Sequence, residues 1–495
     1  MNFAGLLFVL VAQYLSGKGV LRLLKVELRP LAIFCFSMML GVPIVSFAPC
    51  VLQVLHLRLD VMHVAVSIVV FTVLFSIPLV VKFKKPQFPK IKFPELYEWP
   101  FLLFIAALLL LGIWRCFYYP PYARDMLSGP ELVAEYAIRE HTFINSVYNL
   151  DLHTSNNYFK SPFITSLQII YKLLVTSFGQ TWLSVLAVSF IVWLYTILKE
   201  RLHPLIAGVV MLFFMAMPEV FAYTYVLLYD YSNMIYFFAG FYFLARYQQD
   251  NKYPDFLFST LLFGIATYVR TETLFLVAMT APLQMLYFYR QKIGFQKMAI
   301  RIGTFVLVPA FFYVLCNNVF VKLFVPIPLV VSDLLNPHLA DVSAFFGRLT
   351  DIFEKIIFSD WGIRLFGYFA VSFFLLLIVD LIMSRKFARE AAISLYGVGV
   401  VIIGLALVGY LFPLVDLTNT TKRGLFKMMP LVALYMANSK LIQTISKWLT
   451  KWEHKQQTAS RVKAAPVIPS KDVKVAQSKP VKVQHQPNKK ISKGK

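Results

Sequence analysis

The stretch YYPPYARDMLSGPELVAEYAIREHTFINSVYNLDLHTSNNYFKSP, residues 118–162, is the longest polar interruption in the hydrophobic half of the sequence. Apolar blocks flank it on both sides, so we expect it to be held at a membrane surface. Among six tyrosines it concentrates side chains that are suited to chemistry: Asp125, Glu131, Glu135, His141, Asp151, His153 and Lys160. The rest of the chain is predicted to place this loop on one side of a bilayer.

The composition excludes an ordinary soluble domain. The mean hydropathy is +0.67 and 59% of the residues are hydrophobic, whereas about half are apolar in a typical soluble protein. Apolar blocks of roughly 20 residues recur, which is the length that crosses a hydrocarbon core. They are continuous and do not alternate, so helices are expected. The sequence therefore predicts an all-α polytopic membrane protein.

The positions of the basic residues predict the orientation. The net charge of +23 lies mainly in short loops and in the tail, which argues for topology and against nucleic-acid binding. The basic segment 82–92 is predicted to be cytoplasmic, so the span 98–117 runs outward and delivers residues 118–162 to the other side. Counting onward gives about 13 spans, among them 204–222 and 425–443, with the N-terminus outside and the tail inside. Segment 163–178 is amphipathic, and we expect it to lie along the surface.

This scheme divides the chain into three parts and several outer loops. Residues 1–97 carry additional N-terminal spans and the basic loop, and 98–450 form the transmembrane core with the outer loops. The tail has twelve lysines and arginines against Glu453 and Asp472, which predicts a disordered segment that is solvated or rests on anionic lipid. The tail covers residues 451–495. The outer loops are predicted over residues 118–180, 322–361 and 413–424.

Two carboxylates compete for the role of general base. Asp125 follows Tyr122 closely and is adjacent to Arg124 in the sequence, so it is suited to accept a proton from an acceptor hydroxyl; a local ion pair with Arg124 is the alternative. Glu131 follows Ser128 in the S-x-x-E pattern of a capping box, which predicts the start of a helix over 130–141 without any catalytic role. Both readings of Glu131 stay open, and Glu135 is expected to pair with Arg139.

Several cations near the predicted outer face are candidates for binding phosphate. Lys160 lies where the loop returns to the membrane, and it either contacts a phosphate oxygen or snorkels at the interface. Arg270 and Glu272 interrupt a long apolar stretch, and they either serve a site or pair with each other. Lys422 and Arg423 are phosphate ligands or interfacial anchors. No histidines or cysteines show metal-ligand spacing, so no metal ligands are assigned.

Five short motifs follow one another along residues 98–443, and their order is similar to that of a known family. They are Lys160-Ser161-Pro162, Met217-Pro218-Glu219, Tyr229-Asp230, the segment 264–272 that ends in Arg270-Thr271-Glu272, and Lys422-Arg423 before a proline-containing span. This pattern resembles the GT-C superfamily of membrane glycosyltransferases. Within this superfamily, the pattern is most similar to the branch that depends on polyprenyl-phosphate sugars. That branch contains the protein O-mannosyltransferases and the lipid A aminoarabinose transferases.

The resemblance implies an inverting transferase with a lipid-linked donor and a lipid, glycan or protein acceptor. Asp125 would match the acid of the first outer loop, and Lys160, Arg270 and Arg423 would hold the donor phosphate. Some relatives use a divalent metal, so Mg or Mn is a candidate cofactor. The chain departs from the family in three ways: Asp125 and Glu131 are six residues apart instead of an adjacent Asp-Glu, Lys-Ser-Pro replaces Lys-Pro-Pro, and three spans precede the core.

Two other functions remain as alternatives. A polymerase or ligase that moves a lipid-linked glycan needs similar outer cations but depends less on one loop acid. A transporter or flippase predicts ionisable residues at mid-membrane depth, and the clearest candidates, Glu219 and Asp380, lie towards the ends of predicted spans. Short loops favour a bacterial inner membrane with the active site on the periplasmic face.

Overall fold

The computed structural model describes residues 2–81, 94–149, 160–324, 342–383, 386–412 and 416–464. These residues form helices and connecting turns, and no strand occurs among them. The contacts divide the chain into two units, 1–448 and 449–495. The predictions that concern Asp151, His153, the basic segment 82–92, residues 325–341 and the tail beyond 464 lie outside the described residues.

The helices, numbered in chain order, are α1 (Phe3–Leu23), α2 (Pro30–Val54), α3 (Val61–Val81), α4 (Trp99–Tyr118), α5 (Arg124–Leu127), α6 (Pro130–Glu140), α7 (Phe163–Leu174), α8 (Thr181–Arg201), α9 (Pro204–Met215), α10 (Pro218–Tyr223), α11 (Tyr229–Asp250), α12 (Tyr253–Val269), α13 (Thr273–Arg290), α14 (Phe295–Tyr313), α15 (Lys322–Phe324), α16 (Val342–Asp351), α17 (Asp360–Met383), α18 (Arg389–Leu411), α19 (Lys422–Leu425), α20 (Met429–Asn438) and α21 (Lys440–Ala464). Short 3-10 turns are Leu96–Glu98, Ser146–Asn149 and Phe426–Met428, and π-helical turns are Val314–Val321, Ile352–Ile357 and Leu417–Thr421.

Within the described ranges, eight helices are long and apolar enough to cross a membrane, because about 20 apolar residues span the hydrocarbon core. They are Phe3–Leu23, Pro30–Val54, Val61–Val81, Leu96–Tyr118, Thr181–Arg201, Phe295–Cys316, Asp360–Met383 and Arg389–Leu411. The all-helical membrane architecture is thus confirmed, and the count of about 13 spans stays a prediction.

Two predicted spans are interrupted. The span expected over 204–222 is split into α9 and α10 at Pro218, since proline disfavours the helical conformation of the residue before it, and Met217 is extended. The span expected over 425–443 is divided between α20 and α21 at Ser439, which is also extended. A third helix, α17, kinks at Gly367, whose φ is +56°.

Helix α7 corrects an expectation. Its segment was expected to lie along the surface, but every residue of Phe163–Leu174 except Lys172 and Leu173 is buried. Its polar side chains have internal partners: Gln168 accepts a hydrogen bond from Trp182 Nε1 at 3.1 Å, and Tyr171 and Gln13 hydrogen-bond to each other. An amphipathic pattern is equally compatible with a polar protein interior, and that is the environment found here.

Glycines allow α1 and α2 to pack closely. A Cβ atom on Gly17 would lie 1.9 Å from the carbonyl oxygen of Ser37, and one on Gly41 would lie 2.1 Å from that of Gln13. Only residues without a side chain permit such an approach between backbones, a common device in membrane helices.

Charged pairs occupy opposite ends of the same helices. At one end Glu98, before α4, binds Lys199 at 2.5 Å, and Arg246 of α11 lies 3.3 Å from Asp255 of α12. The other ends of α4, α11 and α12 lead to Asp125, Asp230 and Arg270. The fold therefore gathers several of the predicted site residues at one end.

Candidate functional site

Four chain segments bring a row of charges together at this end. Asp125 belongs to α5, Asp230 to the first turn of α11, Arg270 directly follows α12, and Arg423 belongs to α19. Arg270 ends α12 in an extended conformation with φ of −142°. The ends of helices leave the backbone and the adjacent side chains free to meet residues from other segments.

Arg423 bridges two carboxylates. Its Nη1 lies 2.8 Å from Asp125 Oδ2, while Nη2 and Nε lie 3.0 and 3.1 Å from Asp230 Oδ2. The Asp125 side chain is 42% exposed and the Asp230 side chain only 1%. Arg423 thus connects a carboxylate that solvent can reach with one that is enclosed.

The row continues inward from Asp230. Arg270 Nη1 contacts Asp230 Oδ1, and its Nη2 lies 3.0 Å from Glu272 Oε2. Lys427 Nζ, on a side chain only 1% exposed, lies 2.8 Å from Glu272 Oε1. Positive and negative groups alternate from Asp125 to Lys427, as a buried cluster requires, because an uncompensated buried charge is costly. The predicted pair of Arg270 with Glu272 is confirmed, and Arg270 also forms an ion pair with Asp230.

Lys160 lies beside this row without belonging to it. Its Nζ is 3.5 Å from the carbonyl oxygen of Asp125, and it forms no ion pair with a carboxylate of the described ranges. Burial lowers the pKa of its ammonium group to about 8; nearby Asp125 opposes the shift, and Arg423 and Arg270 add to it. Tyr229, next to Asp230, donates a hydrogen bond of 2.8 Å to the carbonyl oxygen of Ser161 and so anchors the Lys-Ser-Pro segment.

Lys422 lies beside Glu219 in the same site. Its Nζ is 3.7 Å from Glu219 Oε1 and 4.0 Å from the centre of the Trp361 ring. Burial lowers its pKa, and Glu219 opposes this effect. The described part of the site thus contains four carboxylates (Asp125, Glu219, Asp230 and Glu272) and five cations (Lys160, Arg270, Lys422, Arg423 and Lys427). The excess of one positive charge favours an anionic ligand.

Glu131 belongs to a second cluster. Its carboxylate binds Lys172 Nζ at 2.5 Å and accepts a hydrogen bond from Gln168 Nε2 at 2.5 Å. Glu135 binds the same lysine at 2.9 Å and Arg139 at 3.1 Å, which confirms the predicted pair with Arg139. These contacts fasten α6 to α7.

The predicted capping box is wrong, although the helix itself is present. Helix α6 runs over Pro130–Glu140, Gly129 is its N-cap, and no side chain caps it. Pro130 occupies the first helical position, where its missing N–H is no loss. Glu131 is in the first turn, where a carboxylate is favoured by the helix dipole, and it is directed to Lys172.

One predicted supporting residue, Tyr122, stands apart from the row. Tyr122 packs on the guanidinium of Arg115, which lies 5.4 Å from its ring centre; Tyr119 and Tyr225 pack on the same group. The side chain of Arg124 is outside the described part of the structure. The carboxylate of Asp125 forms an ion pair with Arg423.

Sequence reasoning did not predict the partners of Asp230 and Lys427. Asp230 entered only as part of the motif Tyr229-Asp230, yet it binds both Arg270 and Arg423. Lys427 lies inside a predicted apolar span, and an ionisable residue there is a signal of a buried partner. That partner is Glu272.

A divalent metal does not fit the described residues. No group of three histidine, cysteine, aspartate or glutamate side chains converges among them, whereas Mg²⁺ needs several oxygen ligands around it. The carboxylates of Asp125 and Asp230 both face Arg423. No step below is therefore assigned to a metal ion.

No family model, curated protein or solved structure matches this chain. Fold and site together define a class: an α-helical membrane protein with a partly buried cluster of alternating charges where several helices end.

Proposed function

We propose that this protein is a membrane glycosyltransferase that moves a sugar from a polyprenyl-phosphate donor to a lipid, glycan or protein acceptor with inversion. The observation that carries this proposal is the convergence of Asp125, Lys160 and Arg423, from three distant segments, beside Arg270. Catalysis of such a transfer needs cations where the leaving phosphate gains charge and a base beside the acceptor. Both kinds of group meet here, and the net positive charge favours a phosphate.

The chemistry follows from these groups. The acceptor oxygen attacks the anomeric carbon from the face opposite the phosphate and forms the new glycosidic bond. The bond from the anomeric carbon to the phosphate oxygen breaks, and its electron pair leaves with the lipid phosphate. Lys160 and Arg423 stabilise the departing phosphate, while Asp125, the exposed end of the row, takes the proton of the acceptor.

The arrangement of the helices supports one side of the membrane as the site of reaction. The row of charges lies at one end of α4, α11 and α12, and basic partners such as Lys199 and Arg246 lie at the other. Because cytoplasmic loops carry an excess of lysine and arginine, we assign the row to the extracytoplasmic face. This assignment places the N-terminus outside and the C-terminal tail in the cytoplasm, and a bacterial inner membrane is the proposed location.

The first test is binding and consumption of a panel of polyprenyl-phosphate sugars by the purified protein in nanodiscs. Lys160→Ala is expected to weaken donor binding about 10- to 100-fold, because a hydrogen bond to a charged group contributes about 1.5–3 kcal/mol. The matched control is Lys252→Ala, since Lys252 pairs with Glu27 at an exposed position, and it should leave donor affinity unchanged. A wild type that neither binds nor consumes any donor of the panel would contradict the proposal.

Donor affinity should also depend on pH through Lys160. Its pKa of about 8 means that the cation is lost as the pH rises through 8, so we expect affinity to be constant below about pH 7 and to fall above pH 8. Lys160→Arg should abolish this fall, because a guanidinium stays charged. The control is Lys422→Arg, which should still show the fall in donor affinity above pH 8. Equal pH profiles for wild type and Lys160→Arg would refute the assignment.

A further inference from the structure

A cavity lies between α16, the end of α18 and the segment that leads into α19. Its volume is about 380 Å³, and it is lined by Ala344, Gly347, Arg348, Asp351, Gly409, Tyr410 and Leu417. Ligand pockets range over about 300–1,000 Å³, so the cavity can hold one small group. None of the predicted site residues lines it.

Small residues keep the cavity open. Ala344 and Gly347 are one turn apart on α16, and a Cβ atom on Gly347 would have no atom within 4 Å. A Cβ atom on Gly409 would lie 2.1 Å from Nε of Arg348. The guanidinium of Arg348 therefore lies flat against the backbone of α18, where only a glycine permits it.

The charges around the cavity are balanced. Arg348 is near Asp351 and Asp416, whose negative charges oppose the lowering of its pKa by burial. Asp351 in turn binds Lys355 at 2.8 Å. An excess of positive charge, which a phosphate site needs, is missing among the described residues that surround this cavity. The groups present are a planar donor, an acceptor carboxylate and a tyrosine ring.

Such a set suits a neutral ligand with many hydroxyl groups. A carboxylate accepts hydrogen bonds from hydroxyls and a guanidinium donates to them in a fixed geometry. An aromatic ring offers an apolar face with a polar edge, which fits the C–H face of a sugar ring. The exposed side chains of Val342 and Phe346 on the same helix provide an apolar border for a ligand that is attached to lipid.

One hydrogen bond links the cavity to the segment that leads to Arg423. Arg348 Nη2 donates to Thr421 Oγ1 at 2.9 Å, and Thr421 Oγ1 donates to the carbonyl oxygen of Asp416 at 2.8 Å. The Cα atoms of Thr421 and Arg423 are at most about 7 Å apart, because two residues cannot span more. Arg423 contacts Asp125, so the cavity is connected to the proposed base through residues 421–423.

We propose that this cavity binds the saccharide part of the acceptor, a glycan or a glycolipid headgroup, and that it presents a hydroxyl group towards Asp125. The acceptor role rests on the proposed function, whereas the binding of a saccharide can be tested without it.

The test uses Gly347→Leu, because a Cβ atom at this position would have no atom within 4 Å and the longer side chain would occupy part of the cavity that Gly347 lines. In nanodiscs that hold the full chain, a diazirine-bearing alkyl glucoside should label peptides that cover 342–351 and 409–417 in the wild type. Labelling should be lost in Gly347→Leu. It should be retained in Gly303→Leu, the matched control, because Gly303 also has no atom within 4 Å of a Cβ and lies on α14.

With an active donor, Gly347→Leu should raise the KM for the acceptor at least about 10-fold, which corresponds to ~1.4 kcal/mol of binding, and leave the Kd of the donor unchanged. Absence of glucoside labelling at these peptides, or labelling by a diazirine-bearing phosphatidic acid in its place, overturns the saccharide site. Labelling that is lost in Gly347→Leu, without any donor consumption by the wild type, supports the saccharide site and rejects the transferase. The two failures are thereby distinguished.

Discussion

Asp125→Asn is expected to slow sugar transfer by about 10²- to 10⁴-fold, the usual contribution of a general base. Asparagine has nearly the same shape, and its oxygen still accepts a hydrogen bond from Arg423, which lies 2.8 Å from the aspartate. The substitution removes the group that takes the proton of the acceptor, together with one of the two negative charges that face Arg423. Donor binding should therefore be kept or become tighter, and the loss should appear in kcat.

The matched control for this substitution is Glu131→Gln. Glu131 binds Lys172, and both side chains are largely enclosed, at 12% and 8% exposure. Its loss should lower the midpoint of thermal unfolding, because Lys172 keeps only Glu135, and it should leave kcat within about 3-fold of the wild type, a difference of less than 1 kcal/mol. If Glu131→Gln slows transfer more than Asp125→Asn does, the base is Glu131 and the assignment must be reversed.

The helices and several members of the site could be predicted because their signals are local. Runs of about 20 apolar residues identify spans by length alone, and Arg270 and Lys160 are conspicuous where such runs are interrupted. The burial of α7 could not be predicted in this way. Its amphipathic pattern shows that one face is polar, but whether that face meets water or Glu131 and Trp182 depends on segments far along the chain.

The partners of the charged residues are also non-local. Arg423 and Asp125 are 298 positions apart, and Arg423 and Asp230 are 193 apart. No spacing rule connects residues over such distances. Arg124 is the cation adjacent to Asp125 in the sequence, so the sequence suggests only that local pair. Asp230 itself resembled an ordinary acidic residue in the first turn of a helix, where the dipole favours a carboxylate.

Asp230→Asn is expected to lower the free energy of unfolding by about 3–5 kcal/mol, the cost of breaking a buried pair from one side. The substitution leaves the guanidinium groups of Arg270 and Arg423 close together, with Glu272 and Asp125 as their remaining carboxylates. The measurement is the midpoint of thermal unfolding in detergent. Asp255→Asn is the matched control, since Asp255 is 2% exposed and faces a single guanidinium at 3.3 Å, and it should cost less.

The same variant distinguishes a structural cluster from a phosphate site. A ligand that binds only the folded state stabilises it by mass action, and Asp230→Asn removes the carboxylate that competes with phosphate for Arg270 and Arg423. Polyprenyl phosphate should therefore raise the unfolding midpoint of Asp230→Asn more than that of the wild type, and it should not change the difference between wild type and Asp255→Asn. If polyprenyl phosphate stabilises none of the three proteins, the cluster only holds the helix ends together, and the phosphate role of its arginines is rejected.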